Sequence, residues 1–281
     1  MIVCFENGRL GNQLFQYAAL RKLYPNCRIV LFGFGALKQG FESVEALVFE
    51  EGQLSRWLVF VLKRTLFGLA KFRIIGTIQE FSEDSNFFVK KFEGVFSIYL
   101  LKSSFFQHQE ILDNISPALT LSRVNCCKAS CWLKHKLVKL KNQNLIFMHV
   151  RRGDYVAWPS HEFPAVLEKQ WYCRALEVMR ERVNNPIFIL LTDDSYYAKD
   201  CFGDQPDILI SENDQLVDFA LMSLCQHGIL SASSFAWWGA FYARSNINDG
   251  AIFLAPKYWA GHRSRKWVPA GFRTNWITYV E

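Results

Sequence analysis

The sequence predicts an α/β protein in which helices cover both faces of parallel sheets. Hydrophobic residues make up 51% of the 281 residues, enough for the core of one large domain or two ordinary ones and too many for a disordered chain. Short, continuously apolar segments alternate with amphipathic helical segments, which is the pattern of strands buried on both faces. A glycine-containing turn joins the first strand to the first helix, as at the start of an α/β nucleotide fold.

The N-terminal elements follow from apolar runs and their stop signals. Residues 1–5 are predicted to be a buried strand, followed by a glycine turn over residues 6–12. Apolar residues recur at helical spacing over residues 13–23, and Pro25 ends this helix. Residues 28–34 are predicted to form the second strand.

From residue 145 onward, strands and helices alternate regularly. Strands are expected at 145–150, 186–192, 207–210, 227–231 and 251–255, and helices at 168–183, 214–225 and 235–243. Upstream, residues 119–140 have a helical pattern, whereas the rest of 80–143 indicates no clear element. We therefore expect two domains, residues 1–140 and residues 141–281.

The net charge of +6 is unevenly distributed along the chain. Residues 1–143 hold 19 basic and 11 acidic side chains, whereas residues 144–281 hold 13 and 15. This asymmetry predicts that the two parts face different partners. The sequence has no run of like charges and no nucleic-acid-binding motif, so we expect no nucleic acid partner.

Cysteine usage and the N-terminus indicate a cytoplasmic protein. The eight cysteines are irregularly spaced and lack the paired ligands of a zinc site, so we interpret them as free thiols in a reducing compartment. The N-terminus lacks the charged segment and long apolar segment of a signal peptide. No stretch approaches the roughly 18 apolar residues of a membrane span.

Residues 52–75 contain five basic side chains and no acidic one. At the pitch of an α-helix, one sector combines four of these cations with two phenylalanines. The residues of this sector are Arg56, Lys63, Arg64, Lys71, Phe60 and Phe67. One interpretation is a basic amphipathic helix that contacts an anionic membrane, here at the inner membrane face. The other is a core helix whose lysines reach solvent at a domain edge.

Polar side chains cluster at the carboxyl ends of three predicted strands. Ligands of open α/β sheets bind beyond these ends, so the three clusters predict a ligand site at one edge of the sheet. The clusters are His149, Arg151, Arg152 and Asp154; Asp193 and Asp194; and Ser231, Ser233 and Ser234. Taken singly, each is typical of a surface ion pair, a turn or a helix start, and their joint occurrence favours a site.

The residue types fit a nucleoside diphosphate. Paired arginines offer planar forks to a pyrophosphate. Hydroxyl and backbone N–H groups at the helix start near Ser233 and Phe235 favour an anion. A carboxylate can accept from guanine N–H groups, and a histidine adds a base or ribose contact. No phosphate-binding Walker loop and no dinucleotide glycine motif is present, which disfavours ATPase and dinucleotide-binding functions.

Four sequence blocks resemble the α-1,2-fucosyltransferases, glycosyltransferase family 11. The blocks are Gly8-Arg9-Leu10-Gly11-Asn12-Gln13-Leu14-Phe15-Gln16-Tyr17-Ala18, His149-Val150-Arg151-Arg152-Gly153-Asp154-Tyr155, Leu191-Thr192-Asp193-Asp194 and Ser233-Ser234-Phe235-Ala236-Trp237-Trp238-Gly239-Ala240. They stand in family order and span residues 8–240.

The resemblance implies a GT-B-type fold with two Rossmann-like domains, the C-terminal one binding GDP-fucose. It implies inverting transfer of L-fucose from GDP-β-L-fucose to the 2-hydroxyl of a terminal β-galactose, with no metal or other cofactor. The acceptor would be a galactose-terminated oligosaccharide or a lipid-linked glycan.

The resemblance also assigns roles to individual residues. The donor-binding residues would be His149, Arg151, Arg152, Asp193, Asp194, Ser233, Ser234 and Phe235. Arg151 would hold the pyrophosphate with Arg152 beside it, and Asp154 would orient the arginines or face the fucose. From the chemistry of the reaction, Arg151 is the group that can stabilise the departing GDP. Asp154 is a candidate for the base, although a carboxylate held by arginines is a poor one. His149 and one of the two adjacent aspartates would read the guanine. Asn12, Gln16 and Arg9 would lie on the acceptor side of the cleft.

Three positions depart from the family pattern, and two other functions remain open. Arg9 stands where a glycine is common, and Ala232 and Ala236 stand where Asn and Ser are common. The alternative functions are transfer of another sugar from a GDP-sugar, and non-catalytic glycan binding through the abundant aromatic residues.

Overall fold

The computed structural model describes residues 1–83, 86–112, 115, 119–137, 142–245, 250–259, 262–263, 265 and 273–281. Within these residues the chain forms two compact units, Met1–Ser122 and Arg123–Glu281. Each unit contains a six-stranded sheet in its described part.

The first unit combines a largely parallel sheet with helices. Its strands are β1 (Ile2–Phe5), β2 (Ile29–Phe32), β3 (Phe41–Glu42), β4 (Leu47–Phe49), β5 (Ile75–Glu83), β6 (Asn86–Phe92), β7 (Phe96–Leu101) and β8 (Thr120–Leu121). Its helices are α1 (Leu10–Leu23), α2 (Gly35–Gly40), α3 (Arg56–Lys71) and α4 (Gln109–Leu112). The main sheet has the order β4-β2-β1-β7-β5-β6, and β3 pairs with β8 separately. The edge strand β6 is antiparallel to β5, which departs from the all-parallel expectation.

The second unit is a fully parallel α/β unit in its described residues. Its strands are β9 (Asn144–Val150), β10 (Pro186–Thr192), β11 (Ile208–Ile210), β12 (His227–Ile229), β13 (Phe253–Pro256) and β14 (Thr278–Val280). Its helices are α5 (Arg123–Lys136), α6 (Lys169–Arg182), α7 (Ser195–Phe202), α8 (Gln215–Leu224) and α9 (Ser234–Ser245), with a short 3-10 helix at Gly153–Val156.

The order of strands in the second sheet creates a binding crevice. The sheet runs β11-β10-β9-β12-β13-β14 with all neighbours parallel. The chain therefore winds outward from β9 to one edge and then from β12 to the other, as in doubly wound dinucleotide folds. Ligands of such sheets bind where the winding reverses, beyond the carboxyl ends of the two central strands. Here that point lies between β9 and β12.

Alternation along β9 decides which of its side chains reach each face. Ile146, Met148 and Val150 are buried in the core with α6 side chains such as Trp171. The intervening side chain of Phe147 contacts the ring of Phe253, on the next but one strand. Both faces of the sheet are thus covered, which explains why β9 is a continuous apolar run.

The elements from residue 145 onward agree with the prediction to within a few residues at each end, whereas the middle of the chain does not. Strands β5, β6 and β7 fall in a stretch where no clear element was indicated. β5 and β6 are partly exposed and mix polar with apolar residues, so their periodicity is weak. The short helices α2 and α7 and the edge strand β14 are further elements that the pattern did not indicate.

The division between the units lies earlier than expected. Helix α5 packs against α8 of the second unit, so the units divide after Ser122 rather than at residue 140. Residues 138–140 of the expected helix 119–140 lie outside the described residues. The first unit then carries 13 basic and 11 acidic side chains and the second 19 and 15. The excess of basic side chains is therefore not confined to the first unit, because the basic α5 region belongs to the second unit. That the two units face different partners stays a prediction.

Two further expectations concern cysteines and membrane spans. No disulfide links the eight cysteines, all of which lie in the described residues. Among the helices of those residues, none is both long and apolar enough to cross a bilayer.

Candidate functional site

A hydrogen bond joins the two central strands of the second sheet at their carboxyl ends. His149, near the end of β9, lies with its Nδ1 2.7 Å from Oγ of Ser231, just after β12. Both side chains are buried. Burial, aided by the positive charge of Arg151, lowers the pKa of His149 to about 3. The imidazole is therefore neutral at physiological pH, and its ring lies 5.5 Å from that of Phe235.

Arg151 follows β9 and is held by two carboxylates. Its Nη1 lies 2.5 Å from Oδ2 of Asp193, and its Nη2 donates to Oδ1 of Asp154. The side chain of Arg151 is 13% exposed, whereas that of Asp154, on the 3-10 helix, is 59% exposed. Asp193, at 25%, is the more enclosed partner.

Arg152 is fixed through both its backbone and its side chain. Its backbone N–H donates to Oδ1 of Asp193 over 2.8 Å, and its Nε donates to Oδ2 of Asp194 over 3.0 Å. The guanidinium also lies 3.8 Å from the ring centroid of Tyr197 on α7, a favourable cation–π distance. Asp193 thus joins the side chain of Arg151 to the backbone of Arg152.

The two aspartates are themselves fixed by local structure. Asp194 caps α7, because its carboxylate accepts the backbone N–H of Tyr197 over 3.0 Å. Its own N–H donates to Oγ1 of Thr192, which donates in turn to the Val150 carbonyl at the end of β9. A Cβ on Gly153 would lie 2.5 Å from Oδ2 of Asp193, so this position needs a glycine.

The third cluster forms the start of helix α9. The backbone N–H of Phe235 donates to Oγ of Ser233 over 3.3 Å, and Ser234 is the first helical residue. The hydroxyl of Tyr155 donates to the Ala232 carbonyl over 2.9 Å, which ties the 3-10 helix to this turn. The positive end of the α9 dipole therefore lies beside the segment that carries the arginines.

The departures at Ala232 and Ala236 are compatible with this arrangement. Ala232 contributes its backbone carbonyl to the bond with Tyr155, which any residue type can provide. Ala236 is completely buried in α9. Position 236 therefore provides no exposed side chain that could contact a ligand.

A buried carboxyl group, that of Asp218, lies at the same edge of the sheet. Ser211 directly follows β11, and its Oγ donates to Oδ1 of Asp218 in the first turn of α8 over 2.5 Å. Burial raises the pKa of Asp218 to about 7, although the bond from Ser211 acts in the opposite direction. Sequence reasoning missed this group. The available signal was an aspartate on the apolar side of the predicted helix 214–225, next to Val217 and Phe219.

The expected cleft residues of the first unit lie around the start of α1. The Nε2 of buried Gln16 donates to the Ser104 carbonyl over 3.0 Å, and Oδ1 of Asn12 accepts from Nε2 of Gln107 over 2.8 Å. Arg9 precedes α1 and is exposed. The two amides thus join α1 to the segment after β7, and their assignment to the acceptor side stays a prediction.

Comparison with known proteins identifies the family. Residues 84–281 match the model of "Glycosyl transferase family 11". The O-antigen biosynthesis glycosyltransferase WbnK of Escherichia coli is 30% identical over 138 residues, which cover 47% of this chain and 45% of WbnK. An alpha-1,2-colitosyltransferase of Escherichia coli is 32% identical over 122 residues, 41% of each chain. The galactoside 2-alpha-L-fucosyltransferase SEC1 of Bos taurus is 29% identical over 138 residues, covering 46% and 36%. The chain therefore spans less than half the length of these curated relatives.

Solved structures support the fold class. POFUT1 in complex with GDP-fucose superposes with a TM-score of 0.55 at 12% identity, over 90% of this chain and 97% of that one. The NodZ alpha-1,6-fucosyltransferase co-crystallized with GDP gives 0.53 at 16%, over 85% and 91%. The chain thus has the expected GT-B-type fold, an α/β fold of two Rossmann-like units.

The buried carboxyl group predicts a pH-dependent stability. Burial raises the pKa of Asp218 from its ordinary value of 3.8 to about 7 in the folded chain. The stability that the protonated carboxyl group contributes is therefore complete below pH 4 and is lost as the pH rises through 7. Once Asp218 is ionised, the free energy of unfolding of the wild type should be lower than that of Asp218→Asn by up to roughly 4 kcal/mol, at 1.36 kcal/mol for each pKa unit. In urea unfolding, the difference in free energy of unfolding between Asp218→Asn and the wild type should increase from pH 5 to pH 7 and stay constant above pH 8.

A second variant checks the cause of this effect. Ser211→Ala removes the donor that favours the ionised carboxyl group, so the pKa of Asp218 should rise further. In this background, the stability difference caused by Asp218→Asn should therefore increase over a higher pH range. An advantage of Asp218→Asn that is constant across this pH range would contradict the assignment.

Proposed function

We propose that this chain, which belongs to glycosyl transferase family 11, transfers L-fucose from GDP-β-L-fucose to the 2-hydroxyl of a terminal β-galactose with inversion at the fucose C1. The observation that carries the proposal is the pair Arg151 and Arg152 beside the start of α9, at the reversal point of a doubly wound sheet. Two hydrogen bonds, His149 to Ser231 and Tyr155 to Ala232, join these two segments.

The arginine pair supports a role in binding the pyrophosphate. As the bond from C1 to the phosphate oxygen breaks, negative charge develops on GDP and needs a stabilising group in place. Arg151 supplies a fixed cation there, since Asp193 holds its guanidinium from the more enclosed side. We expect the pyrophosphate to replace Asp154 as the second partner, because that carboxylate is largely exposed.

The hydrogen-bond pattern also bears on the base and on metal. Asp154 accepts from Arg151 in this structure, and a pyrophosphate that displaces it would leave this exposed carboxylate available to take the proton of the acceptor hydroxyl. Asp193 and Asp194 are each engaged by an arginine. Arginine and the α9 dipole can perform the charge stabilisation that a divalent cation provides in other transferases. We therefore propose transfer that needs no metal.

Asp218 is a better candidate for reading the guanine than the two aspartates that hold the arginines. A carboxylate that accepts from guanine N1–H and N2–H₂ must have an oxygen facing the base. Asp218 is buried at the carboxyl edge of the sheet and has a raised pKa. Carboxyl groups with raised pKa values are common at ligand-binding sites. Neutral His149 can add a further contact to the base or ribose.

The acceptor we propose is a galactose-terminated oligosaccharide or a lipid-linked glycan. WbnK is named for O-antigen biosynthesis and SEC1 for action on galactosides, and both names agree with such an acceptor. A second donor has a specific observation in its favour, because the colitosyltransferase is 32% identical to this chain. Colitose differs from fucose by the absence of one hydroxyl, so GDP-colitose is the alternative donor.

Turnover with linkage analysis tests the proposed function. The chain is incubated with GDP-fucose or GDP-colitose and a panel of β-galactosides, with EDTA present, and the product linkage is determined. We expect an α-1,2-fucosylated product at the same rate with and without EDTA. Loss of transfer in EDTA would contradict metal independence. A higher rate with GDP-colitose than with GDP-fucose would identify GDP-colitose as the donor. Galactoside binding with no affinity for GDP would indicate a glycan-binding protein instead.

Arg151 should be needed for the chemical step. Arg151→Ala removes the cation at the leaving group, so kcat should fall about 10²- to 10³-fold, as for the loss of one donor to a developing anion. The matched control is Arg180→Ala, which breaks another Arg–Asp pair, with Nε and Nη2 each 2.8 Å from the Asp207 carboxylate. Asp207 precedes β11 and so lies at the opposite, amino edge of the sheet. Near-full turnover by Arg151→Ala would rule out the leaving-group role.

The guanine contact should depend on pH and on the 2-amino group. Guanine donates to an ionised carboxylate, so GDP affinity of the wild type should rise between pH 6 and pH 8 as Asp218 loses its proton. IDP lacks the 2-amino group and should bind about 10-fold to 100-fold more weakly than GDP, the worth of one hydrogen bond to a charged group. Asp218→Asn should abolish the pH dependence, and Asp218→Ala, which lacks an acceptor, should also abolish the preference for GDP, both measured by calorimetry. A preserved preference would return the role to Asp193 or Asp194.

A further inference from the structure

Helix α3 lies on the first sheet as an unburied amphipathic helix. Ser55 caps it by accepting the Leu58 backbone N–H over 3.2 Å, and none of its residues is buried. On its inner side, Leu62 and Leu66 pack against the buried strand residues around Val3. This excludes the core-helix interpretation of residues 52–75 and leaves the outer side of the helix in solvent.

The outer side of α3 exposes large aromatic rings. The exposed fractions are 72% for Trp57, 56% for Phe60 and 41% for Phe67, and Phe72 just after the helix is 76% exposed. Isolated exposed apolar residues are common on proteins, but neighbouring ones mark an interaction surface. At helical pitch the first three rings share one sector.

Cations are interleaved with these rings. Arg56, Lys63, Arg64 and Lys71 occupy the same sector of α3, and residues 52–75 contain no carboxylate. Among the described residues, no carboxylate forms an ion pair with any of these four. The nearest ring contacts are those of Arg64 with Phe60, at 5.7 Å, and of Lys63 with Phe5, at 5.6 Å. The sector therefore presents positive charge and aromatic surface together.

A groove of about 850 Å³ continues this surface beside the C-terminal half of α3. Its cations are Arg64, Lys71, Arg73 and Lys102, and its aromatic lining includes Phe67, Phe81 and Phe92. Among the described residues that line it, the one carboxylate is that of Glu93, which accepts from the Tyr99 hydroxyl and lies 2.9 Å from Lys91 Nζ. The groove thus has a positive lining next to an apolar one.

We propose that the outer side of α3 and this groove dock the chain onto an anionic phospholipid bilayer. The helix would lie in the interface plane with Trp57, Phe60 and Phe67 at headgroup level, where amphipathic rings are most stable. The groove would receive the phosphate of an anionic headgroup. A bilayer satisfies both properties at once, since it offers negative charge and apolar depth over an area as broad as a 16-residue helix. Docking is independent of the sugar chemistry and would bring the chain to lipid-linked acceptors.

Vesicle sedimentation of the full chain tests the proposal. The probes are vesicles of phosphatidylcholine alone and of phosphatidylcholine mixed with phosphatidylglycerol. We expect binding to the mixed vesicles only, weakened by salt. Lys63→Glu combined with Arg64→Glu should reduce the partition coefficient at least 25-fold, since each cation contributes about 5-fold near an anionic surface. Phe60→Ala combined with Phe67→Ala should weaken binding at every salt concentration.

Control variants separate docking from general charge effects. Lys134→Glu combined with Lys136→Glu reverses two exposed cations on α5 and should leave sedimentation unchanged. Arg56→Glu combined with Lys71→Glu is the second test, in case the first pair unfolds. Equal sedimentation of the wild type and both α3 variants would overturn the proposal, as would an equal loss in the α5 control. Because turnover of an oligosaccharide acceptor should be unaffected by the α3 changes, failure here is distinguishable from failure of the proposed function.

Discussion

The candidate site depends on one carboxylate, that of Asp193. It binds Nη1 of Arg151 and the backbone N–H of Arg152, so one group at the end of β10 positions two consecutive residues at the end of β9. The close approach requires the glycine at position 153. The protein itself thus orients the guanidinium pair, and charge that is already oriented stabilises a developing anion without further reorganisation.

The carboxylates around the two arginines mean that an anionic ligand must compete with them for the guanidinium groups. Two guanidinium groups face three carboxylates, those of Asp154, Asp193 and Asp194. An anion gains from this arrangement when it displaces the most exposed carboxylate and retains the others as supports. The start of α9 adds positive potential from backbone N–H groups, which carry no counter-charge of their own. Binding and positioning are therefore divided between the arginines and the helix.

The two units use aromatic residues in different ways. In the second unit Trp237 and Trp238 are fully buried and stabilise α9, whose start forms part of the site. In the first unit Trp57 and Phe72 are exposed on and beside α3, among cations. The same residue types therefore fill a core in one unit and form a surface in the other. Basic charge is likewise local, concentrated in segments such as α3 rather than spread over a domain.

The sequence alone determined the parallel α/β class, the strands β9 to β13 and the three clusters of polar side chains at the carboxyl ends of β9, β10 and β12. These features are local, because a continuous apolar run followed by His149 and Arg151, or by Asp193, is visible along the chain. Their convergence on one edge follows from the general geometry of parallel sheets. The tertiary structure alone decided which groups pair: it placed Asp193 on both arginines, joined His149 to Ser231 across the reversal of winding, and buried Asp218 beneath Ser211. It also assigned α5 to the second unit and left α3 exposed. These pairs join residues distant in sequence, so no local pattern contains them, whereas the burial of Asp218 had one local signal, its place on the apolar side of its helix.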